Sequence, residues 1–391
     1  MERLILHVDV NNAFLSWSAT EMLNNGFKKD IRNTYSVIAG EEKERRGIVL
    51  AKSDKCKKLG IKTADSLFVA RKKCRCLEVY PPNYAVYKKY SDMLYNFFCQ
   101  HFDLVERYSI DECFIDYSGF VNLYGDVVKF AYRLKNYIKN TMGFTVNVGI
   151  GNNKLCAKMA SDFLKPDKVH TLFDYEIKEK LWNLDIEDLF MVGKRTSVKL
   201  KELGINKIYD LANKDVNYLI KIFKKQGQMM WEYANGIDNS EVESQRDKPK
   251  SISNSVVLPY DYNNKEKLLS KLRELSNDVA MRLRHQKMYC GLVGVNIKYA
   301  DFTVISKQQK VSTNINSDID IYAVASSLFI KLWNGNDVRS IGVRLGEITD
   351  NLIIQLSIFE SVLKQDNLQS TIDNIKDKFG DNIIKYGDDK L

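Results

Sequence analysis

No apolar run reaches the ~18 residues that a membrane-spanning helix needs, so the 391-residue chain is expected to have no membrane partner. The opening Met1-Glu2-Arg3-Leu4-Ile5-Leu6 reads as a short strand with an acid beside it, not as a signal peptide. Seven cysteines, an odd number without a framework, exclude a disulfide-stapled secreted domain and fit a reducing cytosol. Cys74 and Cys76 are spaced Cys-x-Cys with no second pair nearby, which argues against a zinc site. A cytoplasmic protein is the expectation.

What is present starts from length. The chain is too long for one core, and roughly two to four domains are expected. A formal net charge of +9 favours an anionic partner such as nucleic acid, as it would for many basic proteins. Between Glu41 and Arg75 there are 12 Lys or Arg against 5 Asp or Glu, the densest basic stretch. It reads equally as a solvated face or as a surface facing phosphates.

Carboxylates provide the sharper signal. Apolar residues alternate through Tyr108–Tyr117, which reads as a strand that turns and returns, with Asp111 and Glu112 at the turn. Leu4–Val10 is another apolar strand, carrying Asp9. Paired in register, the two would converge three carboxylates at one end of a sheet. Oxygen ligands without His or Cys suit Mg²⁺, often completed by substrate phosphates. A polar hairpin tip plus an unrelated acid explains the same residues.

After Asp9 the period changes from two to about 3.6 through Asn11-Asn12, placing Phe14 one helical turn beyond the acid. Ser36–Gly40 and Gly47–Ala51 are short strands, and Ser53–Leu59 is helix-like with Gly60 as a natural C-cap. Tyr80-Pro81-Pro82 punctuates the chain before a helix from Tyr84 to about Phe102, whose aromatic stripe reads as core. A second helix near 124–142 and a strand over 143–151 complete the order strand, helix, hairpin, helix, strand. That order predicts an antiparallel sheet backed by two helices, ferredoxin-like.

The last strand feeds a helix with Lys154 and Lys158 on one face, followed by Lys165; together they could neutralise a triphosphate. Residues 172–240 look helical, and Met191–Leu200 with Leu203-Gly204-Ile205 resembles a helix-hairpin-helix, whose turn presents backbone N–H groups to a phosphate. Residues 241–250 read as a mobile polar linker. Beyond Ser251 come a helix over Leu268–Gln286 and strands over Leu292–Tyr299 and Ser340–Leu345. One polar, basic face of that sheet would carry Lys298 and Arg344. Gln355-Leu356-Ser357-Ile358-Phe359 could anchor in a partner's groove.

Together the chain resembles a Y-family (translesion) DNA polymerase of the bacterial DNA polymerase IV type over nearly its whole length. The carriers are His7–Phe14, Ser109–Asp116 and Val148–Lys158, supported by Lys165-Pro166, the helix-hairpin-helix and Ser251–Ser255. The resemblance implies an α+β right-hand polymerase: ferredoxin-like palm (1–10 and 83–171), small fingers (11–82), helical thumb (172–240), linker (241–250), α+β little finger (251–350) and a tail (351–391). It implies two Mg²⁺ ions held by Asp9, Asp111, Glu112 and the Val10 carbonyl, Phe14 as a steric gate against the 2′-hydroxyl, and Lys165 on the triphosphate. Primer-template DNA and dNTPs would be the substrates. Gly193, Lys194, Lys298 and Arg344 would contact DNA, and Gln355–Phe359 would bind the bacterial sliding clamp. A monomeric, error-prone enzyme without proofreading follows, since no segment is left over for an exonuclease. One departure is local: where the family has Tyr and, three residues on, Arg in the fingers, this chain has Asp54 and Lys57. Lys57 keeps the charge without the bidentate fork, and Lys52 or Lys55 could substitute. Met191 stands where a first Gly is common. A non-catalytic DNA scaffold and a palm-type nucleotide cyclase are the competing classes; the three acids argue against the first, and the added domains against the second.

Overall fold

The computed structural model describes residues 3–41, 47–244 and 248–350, with a few residues between 371 and 383. The described residues fall into two compact units, 3–40 with 47–244, and 248–350.

The first unit is organised on β1 (Ile5–Val10), buried along its whole length. A strand flanked on both edges and both faces must be almost wholly apolar, which makes His7 and Asp9 its informative residues. Asn12 turns the chain in the left-handed conformation, φ +50°, which Asn tolerates better than most residues. Helix α1 (Ala13–Asn24) follows. Next, β2 (Ser36–Ala39), β3 (Val49–Lys52), α2 (Asp54–Lys58), α3 (Leu67–Lys73) and β4 (Glu78–Tyr80) make a small three-stranded sheet with two helices, strand order β3-β2-β4. Ser53 caps α2 at its start. At its end Gly60, φ +75°, donates to the Lys57 carbonyl while Ile61 reaches back to Cys56, a Schellman closure.

Helix α4 (Tyr84–Cys99) buries Tyr87, Tyr90, Leu94 and Phe98 on one stripe. The hairpin β5 (Val105–Arg107) and β6 (Glu112–Asp116) starts three residues earlier than the alternation predicts, and Tyr108–Asp111 make its turn. Then come α5 (Val121–Tyr124), α6 (Val127–Met142), β7 (Val146–Gly151), α7 (Lys154–Asp162) and β8 (Val169–Leu172). The sheet runs β5-β6-β1-β7-β8, antiparallel except for β7 with β8. The expected succession is therefore present, with β8 as an added edge. α7 packs so closely on β7 that a Cβ at Gly149 would stand 1.9 Å from the Ala157 carbonyl oxygen, so only glycine fits there.

Short turns lead into four helices, α8 (Lys194–Glu202), α9 (Ile208–Ala212), α10 (Val216–Phe223) and α11 (Lys225–Ala234), packed around Leu181, Leu200, Leu211, Leu219 and Met230. Met191 sits just before α8 with φ +69°. That conformation costs a non-glycine residue roughly 1–2 kcal/mol, the physical reason glycine is the usual choice. The stretch beginning at 241 is not free at its start, contrary to the expected mobile linker. Val242 is buried with Ile5, Phe114 and Ala157, and the Glu243 amide donates to Glu106, 3.0 Å.

In the second unit β9 (Ser251–Tyr262), α12 (Lys265–His285), β10 (Tyr289–Tyr299), β11 (Val304–Ile315), α13 (Asp318–Leu332) and β12 (Val338–Thr349) form a four-stranded antiparallel sheet, order β11-β10-β12-β9. Val293, Val295, Ile297, Ile341, Val343 and Leu345 share a core with Leu272, Val279, Leu328 and Phe329 of the two helices. Strands β9 and β11 and helix α13 were not anticipated from the sequence.

Candidate active site

Strand register brings the acids together. Asp9, next to last in β1, lies directly opposite Glu112, the first residue of β6. Asp111 precedes it in the turn and is fixed by its backbone, since the Val10 amide donates to the Asp111 carbonyl, 3.0 Å. Its carboxylate accepts from the Ser109 hydroxyl, 2.7 Å. All three line a cleft of about 380 Å³, with Val10, Phe14, Leu50, Ala51 and Lys165 among its walls.

Two lysines answer the negative charge. Lys165 pairs with Asp9 and, at 2.7 Å, with Asp162. Lys158, on α7, lies 2.5 Å from Glu112 and 3.7 Å from Asp162. Burial raises the pKa of Asp9 to about 6, although Lys165 pulls the other way. Burial also works against both ammonium groups, but their carboxylate partners outweigh it and hold Lys158 and Lys165 above the ordinary lysine range. Beneath them His7 is buried, and burial reinforced by Lys158 and Lys165 keeps its pKa well below the usual value, so the ring is neutral. Its Nδ1 meets the Ser161 hydroxyl at 2.8 Å.

Of the three lysines expected to face a triphosphate, Lys154 goes elsewhere. Its ammonium sits 2.6 Å from Glu106 and donates to the Glu241 carbonyl, 3.2 Å, on the side where residues 241–243 dock. Lys154 and Lys158 share a helix face but stand one turn, about 6 Å, apart along α7, so they reach different carboxylates.

The donor set suits a hard divalent cation: three carboxylates and the Val10 backbone, no His or Cys, at one sheet end. Among the described residues no three acidic, His or Cys side chains already converge on one point. The cause is visible in the ion pairs, because Asp9 and Glu112 are each turned to a lysine and Asp111 to Ser109. To hold a cation, Asp9 and Glu112 would have to turn from Lys165 and Lys158, and Asp111 from Ser109.

Phe14 lines the cleft, stacked on Tyr87 and edge-on to Tyr84 at 6.2 Å. The Asn12 amide donates to the Lys52 carbonyl, 2.6 Å, tying the start of α1 to β3. Lys57 is exposed on α2 and is not among the cleft-lining residues, nor is Asp54. Lys52 donates to the Thr63 hydroxyl, 3.0 Å. Gly193 is the N-cap of α8, and Lys194 its first residue. Lys298 and Arg344 lie on the same sheet face, Lys298 opposite Ser340 and Arg344 opposite Gly294. Residues 355–359 lie outside the described residues.

Sequence reasoning missed Asn147 and Asn11 as partners of this site. The available signal was a polar residue inside a fully buried strand, Val146-Asn147-Val148.

Comparison with known proteins identifies the family. The impB/mucB/samB family matches residues 8–162, its C-terminal domain matches residues 249–358, and the thumb domain of DNA polymerase iota matches residues 187–238. DNA polymerase IV of Clostridium acetobutylicum is 46% identical over 387 residues, covering 98% of this chain and 97% of the relative. DNA polymerase IV of Acetivibrio thermocellus is 33% identical, covering 99% and 97%. Among solved structures, a Y-family chimera, Dbh-Dpo4(243-245)-Dbh, shares the fold with a TM-score of 0.77 at 24% identity, covering 89% of this chain and 100% of that one. The insertion ternary complex of Dbh DNA polymerase gives 0.60 at 25% identity with the same coverage. In the described residues no helix is long and apolar enough to cross a membrane. An acid-bearing sheet end, a helical thumb and a C-terminal sheet domain in this order, with these relatives, mean that the chain belongs to the Y-family translesion DNA polymerases, in the DNA polymerase IV group.

Proposed function

We propose that the chain extends a primer 3′-end on a DNA template by two-metal nucleotidyl transfer, without proofreading, at the cleft holding Asp9, Asp111 and Glu112. The observation that carries this reading is the cross-strand pairing of Asp9 with Glu112 beside Asp111, in a cleft walled by an aromatic ring and a lysine. Family membership brings metal dependence; two Mg²⁺ ions, held by the three carboxylates and the Val10 carbonyl, are the specific proposal. When bound they would supply Lewis acidity toward the primer hydroxyl and the departing pyrophosphate.

The chain's own residues have distinct tasks. Asp9 and Glu112 would release Lys165 and Lys158 as cations arrive, and Lys165, freed at the cleft wall, would take the triphosphate oxygens. Phe14 would lie under the sugar and leave no room for a 2′-hydroxyl. Lys57 would assist the phosphates from the fingers only through a change in α2 or its own extended stem. Residues 1–10 with 83–171 would serve as palm, 11–82 as fingers, 172–240 as thumb, 241–250 as linker and 251–350 as little finger. Gly193 and Lys194 would hold a DNA phosphate at the start of α8, and Lys298 with Arg344 would track the backbone. Gln355–Phe359 would bind the sliding clamp, and the enzyme would act as a cytoplasmic monomer.

Primer extension with dNTPs and Mg²⁺ tests this. Asp111→Ala should lower the rate by three or more orders of magnitude, and undiminished extension would remove the assigned site. A Leu356→Ala/Phe359→Ala variant should lose clamp binding and keep basal extension.

A further inference from the structure

We propose that Asn147 is a positioning residue for nucleotide binding: through its amide it clamps the segment carrying Lys165 to the end of β1, fixing that ammonium against the carboxylate cluster. The inference rests on Lys165 serving as a triphosphate ligand.

Asn147 is fully buried in β7 and lies directly opposite Asp9, so Glu112, Asp9 and Asn147 stand in one row across three strands. A buried amide is costly unless satisfied, and here every hydrogen-bonding position is used. Nδ2 donates to the Ser161 carbonyl at 2.9 Å and to the Leu164 carbonyl at 2.8 Å. Oδ1 accepts from Asn11 Nδ2 at 3.1 Å and from the Lys168 amide at 3.2 Å. Three of the four bonds go to residues 161–168, the segment that holds Lys165.

The fourth bond closes the clamp. Asn11 follows Val10, and its Oδ1 accepts from the Asp167 amide at 2.8 Å, so Asn11 and Asn147 grip the segment at neighbouring points. Asp167 is held from outside by Lys135 at 2.8 Å and Lys139 at 2.9 Å. Lys165 is itself about one-third exposed and has a long, flexible stem. Anchoring the backbone on both sides of it, at Leu164 and at Asp167-Lys168, restricts what that stem can reach. All four bonds of Asn147 are side-chain bonds, outside the backbone ladder of β7. The asparagine is there for the segment beside it.

The test is a double-mutant cycle on the full chain, with Asn147→Ala, Lys165→Ala and both, measuring kcat and KM for dNTP and primer-template affinity. Asn147→Ala should raise the KM for dNTP about ten-fold, as for a displaced positioning group, with primer-template affinity changed less than two-fold. In the Lys165→Ala background the same change should add no further loss. Asn147→Ser, which keeps one donor and one acceptor, should recover part of the KM. Multiplicative losses in the double variant, or equal losses in DNA affinity and dNTP use, would overturn the assignment. An unchanged KM in Lys165→Ala alone would instead overturn the reading of Lys165. If Asn147→Ala does not fold, the same cycle run with Asn147→Ser decides the matter.

Discussion

The Phe14 ring lies face to face with Tyr87, centroids 4.4 Å apart and planes 8° from parallel. Tyr87 is fully buried, and its hydroxyl meets Ser18 at 3.2 Å, so the wall behind Phe14 is rigid. A wall discriminates by shape only if it cannot yield. Phe14→Ala should raise ribonucleotide incorporation on the order of 100-fold relative to deoxynucleotide incorporation. Tyr87→Leu should move the ratio in the same direction by less, since Phe14 remains but loses its backing. Single-nucleotide insertion with paired rNTP and dNTP measures both, and an unchanged ratio in Phe14→Ala would remove it as the gate.

On the proposed mechanism, Asp9 should set the acid limb of activity. Its pKa stands at about 6 through burial, and a cation requires the ionised form. At pH 5 only about a tenth of Asp9 would be ionised, so kcat/KM should fall close to ten-fold per unit below pH 6. Raising Mg²⁺ should shift that fall to lower pH, because the cation competes with the proton. The stability sign is opposite. A folded pKa above the unfolded value of 3.8 means the native state binds the proton more tightly. Asp9 therefore adds stability as pH falls from about 6 toward 4. Melting curves at pH 5.5 and 7 separate the two effects; activity loss that tracks unfolding would contradict this assignment.

How much of this was legible in the residues varies with the kind of interaction. Period-two and period-3.6 patterns located β1, the β5–β6 hairpin, α4 and α6, because each buries one face or both. Strand β11 escaped because Val304–Ile315 is an edge strand, mostly exposed and polar, with no alternation to read. Helix α13 carries apolar residues beyond its buried Ile321, Ala325, Leu328 and Phe329, which blurs its stripe. Pattern placed Asp9 on one strand and Glu112 beside a hairpin turn, and their direct pairing became visible only in the strand register. Which lysine answers which acid was not legible either, since that depends on how deep α7 sits on Gly149 and where the segment after it is clamped. The closed start of the linker was equally hidden, as one buried side chain, Val242, outweighs a polar neighbourhood.

The Lys158–Glu112 pair predicts a metal-dependent stability difference. Lys158→Met leaves Glu112 without its cation in a partly buried setting, a loss of about 2–4 kcal/mol. Mg²⁺ on the carboxylate cluster would restore the missing positive charge. Thermal melts of wild type and variant should therefore differ by several degrees without Mg²⁺ and converge as Mg²⁺ is raised to about 100 times its dissociation constant. A gap independent of Mg²⁺ would mean that Glu112 does not share the ion.

Lys298 and Arg344 come from adjacent strands and face the same way on a sheet whose other side is core. Between them lie Asn296 and Gly342, Ser340 pairs with Lys298, and Ser253 of β9 pairs with Arg344, so the face is short-chained and polar enough to approach a phosphate backbone closely. Lys298 also rests over the Phe302 ring, 4.7 Å from its centroid, a partial anchor that keeps its ammonium on this face. Cations that neutralise one phosphate each release about 0.9 counterion. Lys298→Ala and Arg344→Ala should each lower the slope of log affinity against log salt by about one, and the double variant by about two. The effect should be the same for primer-templates of any sequence, because backbone contacts carry no base information. Fluorescence anisotropy titrations from low to moderate salt measure the slopes. Slopes that match wild type would take this face off the DNA and leave the helical region around Gly193 and Lys194 as the contact to examine.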